Sequence, residues 1–146
     1  MGSPLRRFAA NALLACAAGL AASVGADRLL GLRLTTYASH PPNVRELRRN
    51  IEGDHEFATN SQGLRYREIP LAKPRGGRRL LVLGDSFVEG SLVEARDSFP
   101  SLLESRWAGV EVINGGLGGT GPVEYRELLS EVGLRYRPDG VLIAVF

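Results

Sequence analysis

The sequence predicts an α/β protein built around a parallel β-sheet, and two observations carry this prediction. Three apolar runs of strand length lie at residues 79–84, 110–114 and 141–146, and two helix-like segments, at 98–107 and 122–136, separate them. Strands that alternate with helices are typical of parallel sheets with right-handed crossover connections. The 146-residue chain is 44% hydrophobic and 23% charged, which fits a globular fold and not a disordered chain.

The first strand and the first helix have clear local signals. Residues 79–84, RLLVLG, form a short apolar run that ends in glycine, as expected for a strand buried on both faces. The helix at 98–107 starts with Ser98 as a capping residue and has Pro100 in its first turn. Residues 110–114, VEVIN, predict the second strand.

The second helix and the third strand complete the pattern. The helix at 122–136 begins with proline, carries Glu124 in its first turn and has an apolar stripe at helical spacing. The third strand, VLIAVF at 141–146, follows a Pro-Asp-Gly turn. The sequence stops inside this apolar strand, which predicts an N-terminal fragment whose sheet is truncated after the third strand.

The N-terminal residues have the pattern of an export segment. Arg6 and Arg7 precede an uncharged run of nineteen residues, 8–26. As a helix this run would reach about 28 Å, close to the thickness of the hydrocarbon core of a bilayer, so the sequence predicts an N-terminal hydrophobic helix. Basic residues before such a run stay on the cytoplasmic side, and the rest of the chain would then lie on the exported side, periplasmic or extracellular.

Three fates of this segment are open. It is an uncleaved transmembrane anchor in the cell membrane, a signal peptide cleaved after Ala26 to release a secreted protein, or a lipoprotein signal that ends at Cys16. The uncleaved anchor is favoured because Asp27 and Arg28 are followed by the apolar stretch LLGLRL, which suits the membrane interface. A buried, alanine-rich core helix is the alternative that needs no membrane.

Charge and cysteine content exclude several classes of function. Eighteen basic and sixteen acidic residues give a net charge of +2, and the pI is about 9.0. Because Arg6 and Arg7 are the only charged residues before Asp27, residues 27–146 hold sixteen groups of each sign and no nucleic-acid partner is expected. Cys16 is the only cysteine, so disulfides and thiolate metal sites are excluded, and we predict no metal or cofactor.

The chain divides by composition into three parts. Residues 1–26 are the signal peptide or anchor, 27–78 are a juxtamembrane connector and edge segment, and 79–146 are the first part of the α/β domain. Within the connector we expect a short helix at 44–50 and extended edge structure at 57–69.

Two unusual loops follow the first two predicted strands. In open parallel sheets ligands bind outside the carboxyl ends of the strands, so these loops are the candidate sites. The first, GDSFVEG at 84–90, has neither the lysine of a Walker A loop nor the second glycine of a Gly-x-Ser-x-Gly elbow. The second, NGGLGGTG at 114–121, contains one match to the G-x-G-x-x-G dinucleotide fingerprint. That interpretation is less favoured because a proline starts the helix immediately after the third glycine, Gly121.

Ser86 is the candidate nucleophile. It stands directly after the first strand, at the sheet edge where ligands bind, and its own backbone N–H faces the same space. One residue can therefore supply both nucleophile and oxyanion donor, while the neighbouring glycine loop lets a second N–H approach. The alternative is that Asp85 and Ser86 only cap a helix and that the glycines only turn the chain.

Three blocks in this order resemble the SGNH (GDSL) hydrolases: RRLLVLGDSFVEG, VEVINGGLGGTGPVEY and RPDGVLIAVF. The upstream stretch FATNSQGLRYREIP resembles the segment before the first block in membrane-anchored or exported bacterial members, so the likeness covers residues 57–146. The resemblance implies a flavodoxin-like parallel sheet with flanking helices, a three-layer α/β/α architecture with strand order 2-1-3-4-5.

The resemblance also implies roles for single residues. Ser86 would be the catalytic nucleophile with its N–H as first oxyanion donor, Gly119 would give the second donor, and Asp85 would shape the nucleophile loop. The third-block asparagine and the Asp-x-x-His pair of the family would come after residue 146. His40 and His55 precede Ser86, whereas the family's base follows it, so we interpret both as solvated loop side chains.

The expected protein is an exported, membrane-anchored serine esterase or acyl hydrolase. Its substrate would be a small-molecule or glycan ester of the cell envelope, and the fragment alone would be inactive because it lacks a general base. An O-acyltransferase of envelope polysaccharide would use the same residues and remains open. A non-catalytic module that binds a glycan or peptide at this edge remains open too, and dinucleotide binding is less favoured.

Overall fold

The computed structural model describes residues 12–19, 22, 39–51 and 53–145. The chain falls into two units, residues 1–36 and 37–146. In the first unit residues 12–19 are helical and their side chains are exposed, including the free thiol of Cys16.

The predicted transmembrane helix is wrong. No helix among the residues that the structure describes is long and apolar enough to cross a membrane. Apart from residues 12–19 and residue 22, the predicted 8–26 segment lies outside the described residues, as does the cleavage site after Ala26.

An antiparallel hairpin opens the second unit, where the sequence predicts a helix. β1 (Arg45–Asn50) pairs with β2 (Gly53–Ala58) along its whole length. The helix predicted at 44–50 is therefore wrong, because contacts across the hairpin outweigh the local propensity of this segment. Arg48, for example, places its guanidinium carbon 3.4 Å from the centroid of the Phe57 ring.

A three-stranded parallel sheet forms the centre of the second unit. Its strands are β3 (Arg78–Gly84), β4 (Val110–Gly116) and β5 (Gly140–Ile143), and β3 lies between the other two. In chain order the arrangement is 2-1-3, and both strand pairs are parallel. The predicted α/β class with a parallel sheet is confirmed, although β5 is shorter than the predicted strand at 141–146.

Helices pack on both faces of the sheet. They are α1 (Ser86–Glu89), α2 (Phe99–Arg106) and α3 (Pro122–Glu131). Because side chains alternate along a strand, β3 contributes to two separate cores. Val82 points into the core shared with α1 and α2, and Leu81 points into the core shared with α3.

α3 ends before the predicted residue 136. At Gly133 the chain comes so close to the sheet that a Cβ atom would lie 2.5 Å from Leu81 Cδ2. The remaining residues therefore form a separate 3-10 turn, Gly133–Tyr136, that closes the core on this face.

A buried arginine fastens the connector to the sheet. The guanidinium of Arg79, on β3, donates hydrogen bonds to the carbonyl oxygens of Pro70 and Leu71 at 2.8 and 2.9 Å. Its Nε lies 2.7 Å from the Glu111 carboxylate on β4. These bonds hold the irregular residues 59–77 against the start of the sheet.

β5 lies at one edge of the sheet and exposes apolar side chains. Among the described residues it pairs with β3 alone, and Ile143 is 55% exposed. Exposed apolar edge strands pair with other chains. Ile143→Lys is therefore expected to slow aggregation of the chain, measured by light scattering. Leu134→Lys, at a comparably exposed leucine in the 3-10 turn (57%), is the control, and an equal gain from both variants would contradict a role for the edge.

Candidate active site

Ser86 lies exposed at the carboxyl end of the central strand. β3 ends at Gly84, Asp85 is the capping residue, and Ser86 is the first residue of α1. The Asp85 carboxylate accepts a hydrogen bond from the Phe87 N–H at 3.0 Å, which satisfies one of the free amides at the start of the helix. Asp85 therefore shapes this loop as a helix cap and leaves the Ser86 side chain open to solvent.

Close packing beneath α1 fixes the position of this short helix. Val88 is fully buried in the core between β3 and β4. Gly84 leaves room for it, since a Cβ at Gly84 would lie 2.3 Å from Val88 Cγ2. The helix ends at Gly90, whose φ of 71° favours glycine and where a Cβ would lie 2.7 Å from Ser98 Cβ. The backbone of Ser86 is thereby held at the sheet edge.

The glycine-rich loop after β4 lies directly beside Ser86. The Leu117 N–H donates to the Gly84 carbonyl oxygen at 3.0 Å and ties the ends of β3 and β4 together. At Gly118 a Cβ would lie 3.7 Å from Ser86 Cβ. Gly119 follows with a φ of 76° and is exposed; apart from its two chain neighbours, no described residue has a heavy atom within 4 Å of the position of its Cβ. The structure thus brings Ser86 and the glycine loop together, with Gly118 nearer than Gly119.

A buried carboxylate lies behind this loop, and sequence reasoning missed it. The Glu89 side chain is 3% exposed. His40 Nε2 is hydrogen-bonded to this carboxylate, whose Oε2 lies 3.2 Å from the position of a Cβ at Gly118. The Gly118 N–H and the Ser91 side chain lie close enough to lower the pKa of the carboxyl group. Burial raises the pKa of Glu89, whereas the contacts with His40, Ser91 and Gly118 lower it. The lowering effects together are larger, so the pKa of Glu89 lies below its ordinary value. Glu89 is therefore a charged group at neutral pH.

Both histidines have defined partners, so their interpretation as solvated loop side chains is wrong. His40 Nε2 contacts the Glu89 carboxylate, and its ring meets the Phe57 ring edge-on with centroids 4.9 Å apart. His55 is buried, with Nε2 3.0 Å from the carbonyl oxygen of Ser91. These hydrogen-bond partners lie 49 and 36 residues away along the chain, so no local pattern in the sequence indicates them.

Arg65 binds the backbone that follows the nucleophile. Its side chain is buried, and its guanidinium donates to the carbonyl oxygens of Glu89 at 3.1 Å, of Gly90, and of Val93 at 2.5 Å. Burial lowers the pKa of Arg65, and the attraction to Glu89 offsets part of this effect. The segment after Ser86 is therefore held both by the sheet and by Arg65.

A small apolar cleft opens next to Ser86. Its volume is about 230 Å³. Both Phe87 and Leu92 expose most of their side chains here, and no charged side chain lines the cleft. A larger cleft, about 480 Å³, is lined by other residues, including Arg65 and Glu104, and contains none of the predicted site residues. The smaller cleft holds the candidate nucleophile and is the one that bears on function. Its lining consists of Ser86, Phe87, Gly90, Ser91, Leu92 and Val93.

The surroundings of Gly116 and Gly121, the first and last glycines of the G-x-G-x-x-G match, disfavour the binding of a dinucleotide. The Gly121 N–H, at the start of α3, donates to the Glu124 carboxylate at 2.9 Å, and this bond lowers the pKa of Glu124. A pyrophosphate at this helix start would meet that negative charge. Gly116 packs against α1, since a Cβ there would lie 2.1 Å from the Glu89 backbone nitrogen.

Within the part of the chain that the structure describes, no group of three or more His, Cys, Asp or Glu side chains could hold a metal ion. Comparison with known protein families, with curated proteins and with solved structures finds no match to the chain. The function is therefore inferred from the geometry at Ser86 and from the sequence blocks around it.

Proposed function

We propose that these residues form the nucleophile half of a serine esterase or acyl hydrolase of the SGNH type. The observation that carries the proposal is the exposed Ser86 at the carboxyl end of the central parallel strand, beside a glycine loop. The strand order 2-1-3 supports it, because a flavodoxin-like sheet begins in this order.

Ser86 would act as the nucleophile in ester cleavage. Its Oγ attacks the ester carbonyl carbon while a general base accepts the hydroxyl proton. The protonated base gives this proton to the departing oxygen, the C–O bond breaks and the alcohol leaves, and water then hydrolyses the acyl-serine. The N–H groups of Ser86 and Gly119 would stabilise the oxyanion, and each donor of this kind lowers the barrier by about 3 to 4 kcal/mol. No histidine follows Ser86 in this sequence. The resemblance implies that the base belongs to an Asp-x-x-His pair that follows Ser86.

The cleft beside Ser86 indicates the kind of ester. Exposed Phe87 and Leu92 line it without any charged side chain, so it suits an uncharged, apolar acyl or alkyl group. A small-molecule or glycan ester of the cell envelope with such a group remains the expected substrate. An O-acyltransferase would use the same nucleophile and pass the acyl group to a sugar hydroxyl instead of water.

One observation favours a second candidate, a non-catalytic module that binds a glycan or peptide at this edge. Both histidines of the sequence have other partners, His40 at Glu89 and His55 at the Ser91 carbonyl oxygen. In this arrangement neither one is hydrogen-bonded to Ser86 as a base.

A fluorophosphonate probe, applied to the protein, tests the proposal. Peptide mass spectrometry is expected to find the label on Ser86, and Ser86→Ala to reduce labelling at least about a hundredfold, because the probe requires the activated hydroxyl. Ser105→Ala, at an exposed serine of α2, is the matched control and should label normally. Absence of label on Ser86 would contradict hydrolase and acyltransferase alike and favour the binding module. Product analysis with a sugar acceptor separates the two enzymes.

A further inference from the structure

We propose that Glu89, held by His40, is a positioning residue that fixes the glycine loop against Ser86. Its catalytic meaning rests on the proposed function, whereas its structural effect on the loop can be measured without any activity. Sequence reasoning assigns no role to either residue, and neither belongs to the nucleophile, the oxyanion donors or the expected base.

The Glu89 carboxylate joins three segments of the chain. It belongs to α1, three residues after Ser86, and its Oε2 lies beside Gly118 of the glycine loop, whose N–H lowers the pKa of the carboxyl group. His40, from the connector, contacts the same carboxylate. The ring of His40 is in turn held edge-on against Phe57 of β2. A single buried group therefore links the nucleophile helix, the glycine loop and the connector.

The carboxylate and Ser86 both lie close to Gly118. The position of a Cβ at Gly118 lies 3.2 Å from Glu89 Oε2 and 3.7 Å from Ser86 Cβ. The amide that Glu89 holds is thus the one before Gly119, whose N–H is the expected second oxyanion donor. Because consecutive peptide planes share a Cα atom, fixing the Gly118 amide restricts where the Gly119 N–H points. Glycine at 118, 119 and 121 gives this loop little stiffness of its own.

The charge of Glu89 gives this contact its strength. A charged acceptor makes a stronger hydrogen bond to a backbone N–H than a neutral one, and burial removes competing water. Among the described residues, His40 from the connector and Arg65 from the segment after β2 are the titratable groups that interact with this carboxylate. Both attract the negative form and so keep it available to Gly118.

Nuclear magnetic resonance on the ¹⁵N-labelled protein tests the structural part. Loss of the bond to the carboxylate in Glu89→Ala is expected to shift the Gly118 amide proton upfield and to speed its hydrogen exchange about tenfold or more. His40→Ala should change the Gly118 amide in the same direction but by less. His40→Gln can still donate a hydrogen bond to Glu89, so its Gly118 amide should behave almost as in the wild type. Glu131→Ala, at an exposed glutamate of α3, is the matched control and should leave the Gly118 amide unchanged.

A pH titration of the wild-type protein makes the test independent of how the variants fold. Because the pKa of Glu89 is lowered in the folded state, the contact is complete above the ordinary value of 4.5 and is lost only as the pH falls below it. The Gly118 amide proton is expected to titrate with a midpoint below 4.5. A Gly118 amide that does not respond to pH in this range, or that exchanges equally fast in the wild type and in a folded Glu89→Ala or Glu89→Gln variant, would overturn the proposal.

The rate of probe labelling at Ser86 tests the catalytic part. Glu89→Gln is expected to slow labelling about tenfold, since a neutral acceptor holds the loop less firmly, and His40→Gln should label faster than His40→Ala. If His40→Gln instead abolishes labelling as completely as Ser86→Ala, His40 is a base and not part of a positioning pair. If the wild type is not labelled, the proposed function fails, while the Gly118 amide still decides whether Glu89 positions the loop.

Discussion

Replacing Arg65 by methionine is expected to lower the free energy of unfolding by about 3 to 5 kcal/mol. Methionine fills much of the same buried space but donates no hydrogen bond. The carbonyl oxygens of Glu89, Gly90 and Val93 would lose their shared charged donor, and a hydrogen bond from a charged group contributes about 1.5 to 3 kcal/mol. The Glu89 and Gly90 oxygens keep a second donor, the Asn114 side-chain amide and the Val93 N–H. Arg65→Lys should recover only part of the loss, because one ammonium group does not reproduce the planar fork of the guanidinium.

Chemical denaturation followed by circular dichroism measures this effect. Arg67→Met is the matched control, since Arg67 lies two residues away, is half-exposed and bonds Glu104 at 2.8 Å. An exposed ion pair of that kind contributes at most about 1 kcal/mol. Equal losses of stability in the two variants would contradict the importance of the buried hydrogen bonds of Arg65.

Arg65→Met should also loosen α1, the helix that carries Ser86. The carbonyl groups that Arg65 holds belong to the end of α1 and to the turn that follows it. Without the hydrogen bonds from Arg65 this end of α1 frays, and amide hydrogen exchange at residues 89–93 is expected to accelerate more than exchange in β3. Uniform acceleration across the sheet would instead indicate a global loss of stability.

The parts of the fold that the sequence predicts well are those with a local pattern. Apolar runs of strand length predict β3 and β4 to within two residues at each end, because a strand buried on both faces must be apolar along its length. The exposed place of Ser86 follows from the same run, since the chain leaves the sheet where the run ends. Elements that depend on local composition can therefore be read from the sequence.

The parts that it predicts poorly depend on contacts between distant residues. The charged segment of β1 has no strand pattern and forms a strand through pairing with β2. The contact of His40 with Glu89 spans 49 residues and that of Arg65 with Gly90 spans 25. A charged side chain next to glycine looks like a surface residue in a sequence, and only the folded backbone shows that it is buried with its partners.

Gly116→Ala is expected to have the second large effect on stability, because β4 and α1 approach each other very closely at Gly116. A Cβ at Gly116 would lie 2.1 Å from the backbone nitrogen of Glu89 and 2.6 Å from the carbonyl carbon of Val88. These are main-chain atoms of α1 that no rotamer change can move. The helix has to shift away from β4, which we expect to cost about 3 kcal/mol or more and to move Ser86 away from the glycine loop.

Gly84→Ala offers a matched comparison, because its clash is with a side chain. A Cβ at Gly84 would lie 2.3 Å from Val88 Cγ2, so shortening Val88 to alanine removes the closest contact but leaves Val88 Cβ at 2.9 Å and the Ala144 carbonyl oxygen at 3.0 Å. In a double-mutant cycle, Gly84→Ala and Val88→Ala together should be less destabilising than the sum of the two single variants. Gly116→Ala and Val88→Ala should instead add, because the atoms that Gly116 meets belong to the backbone.

Stability and probe labelling measured on the same variants distinguish displacement of α1 from simple overpacking. Gly121→Ala, in the same loop, is the control, since a Cβ there would meet only Glu124 Oε2 at 3.7 Å, an ordinary contact. Displacement predicts that Gly116→Ala reduces the labelling of Ser86 by a larger factor than its loss of stability alone would explain, while the Gly84→Ala, Val88→Ala double variant is labelled faster than Gly84→Ala alone. A Gly116→Ala protein as stable as Gly121→Ala would show that α1 does not rest on β4 at this point, and the position of Ser86 would then need another support.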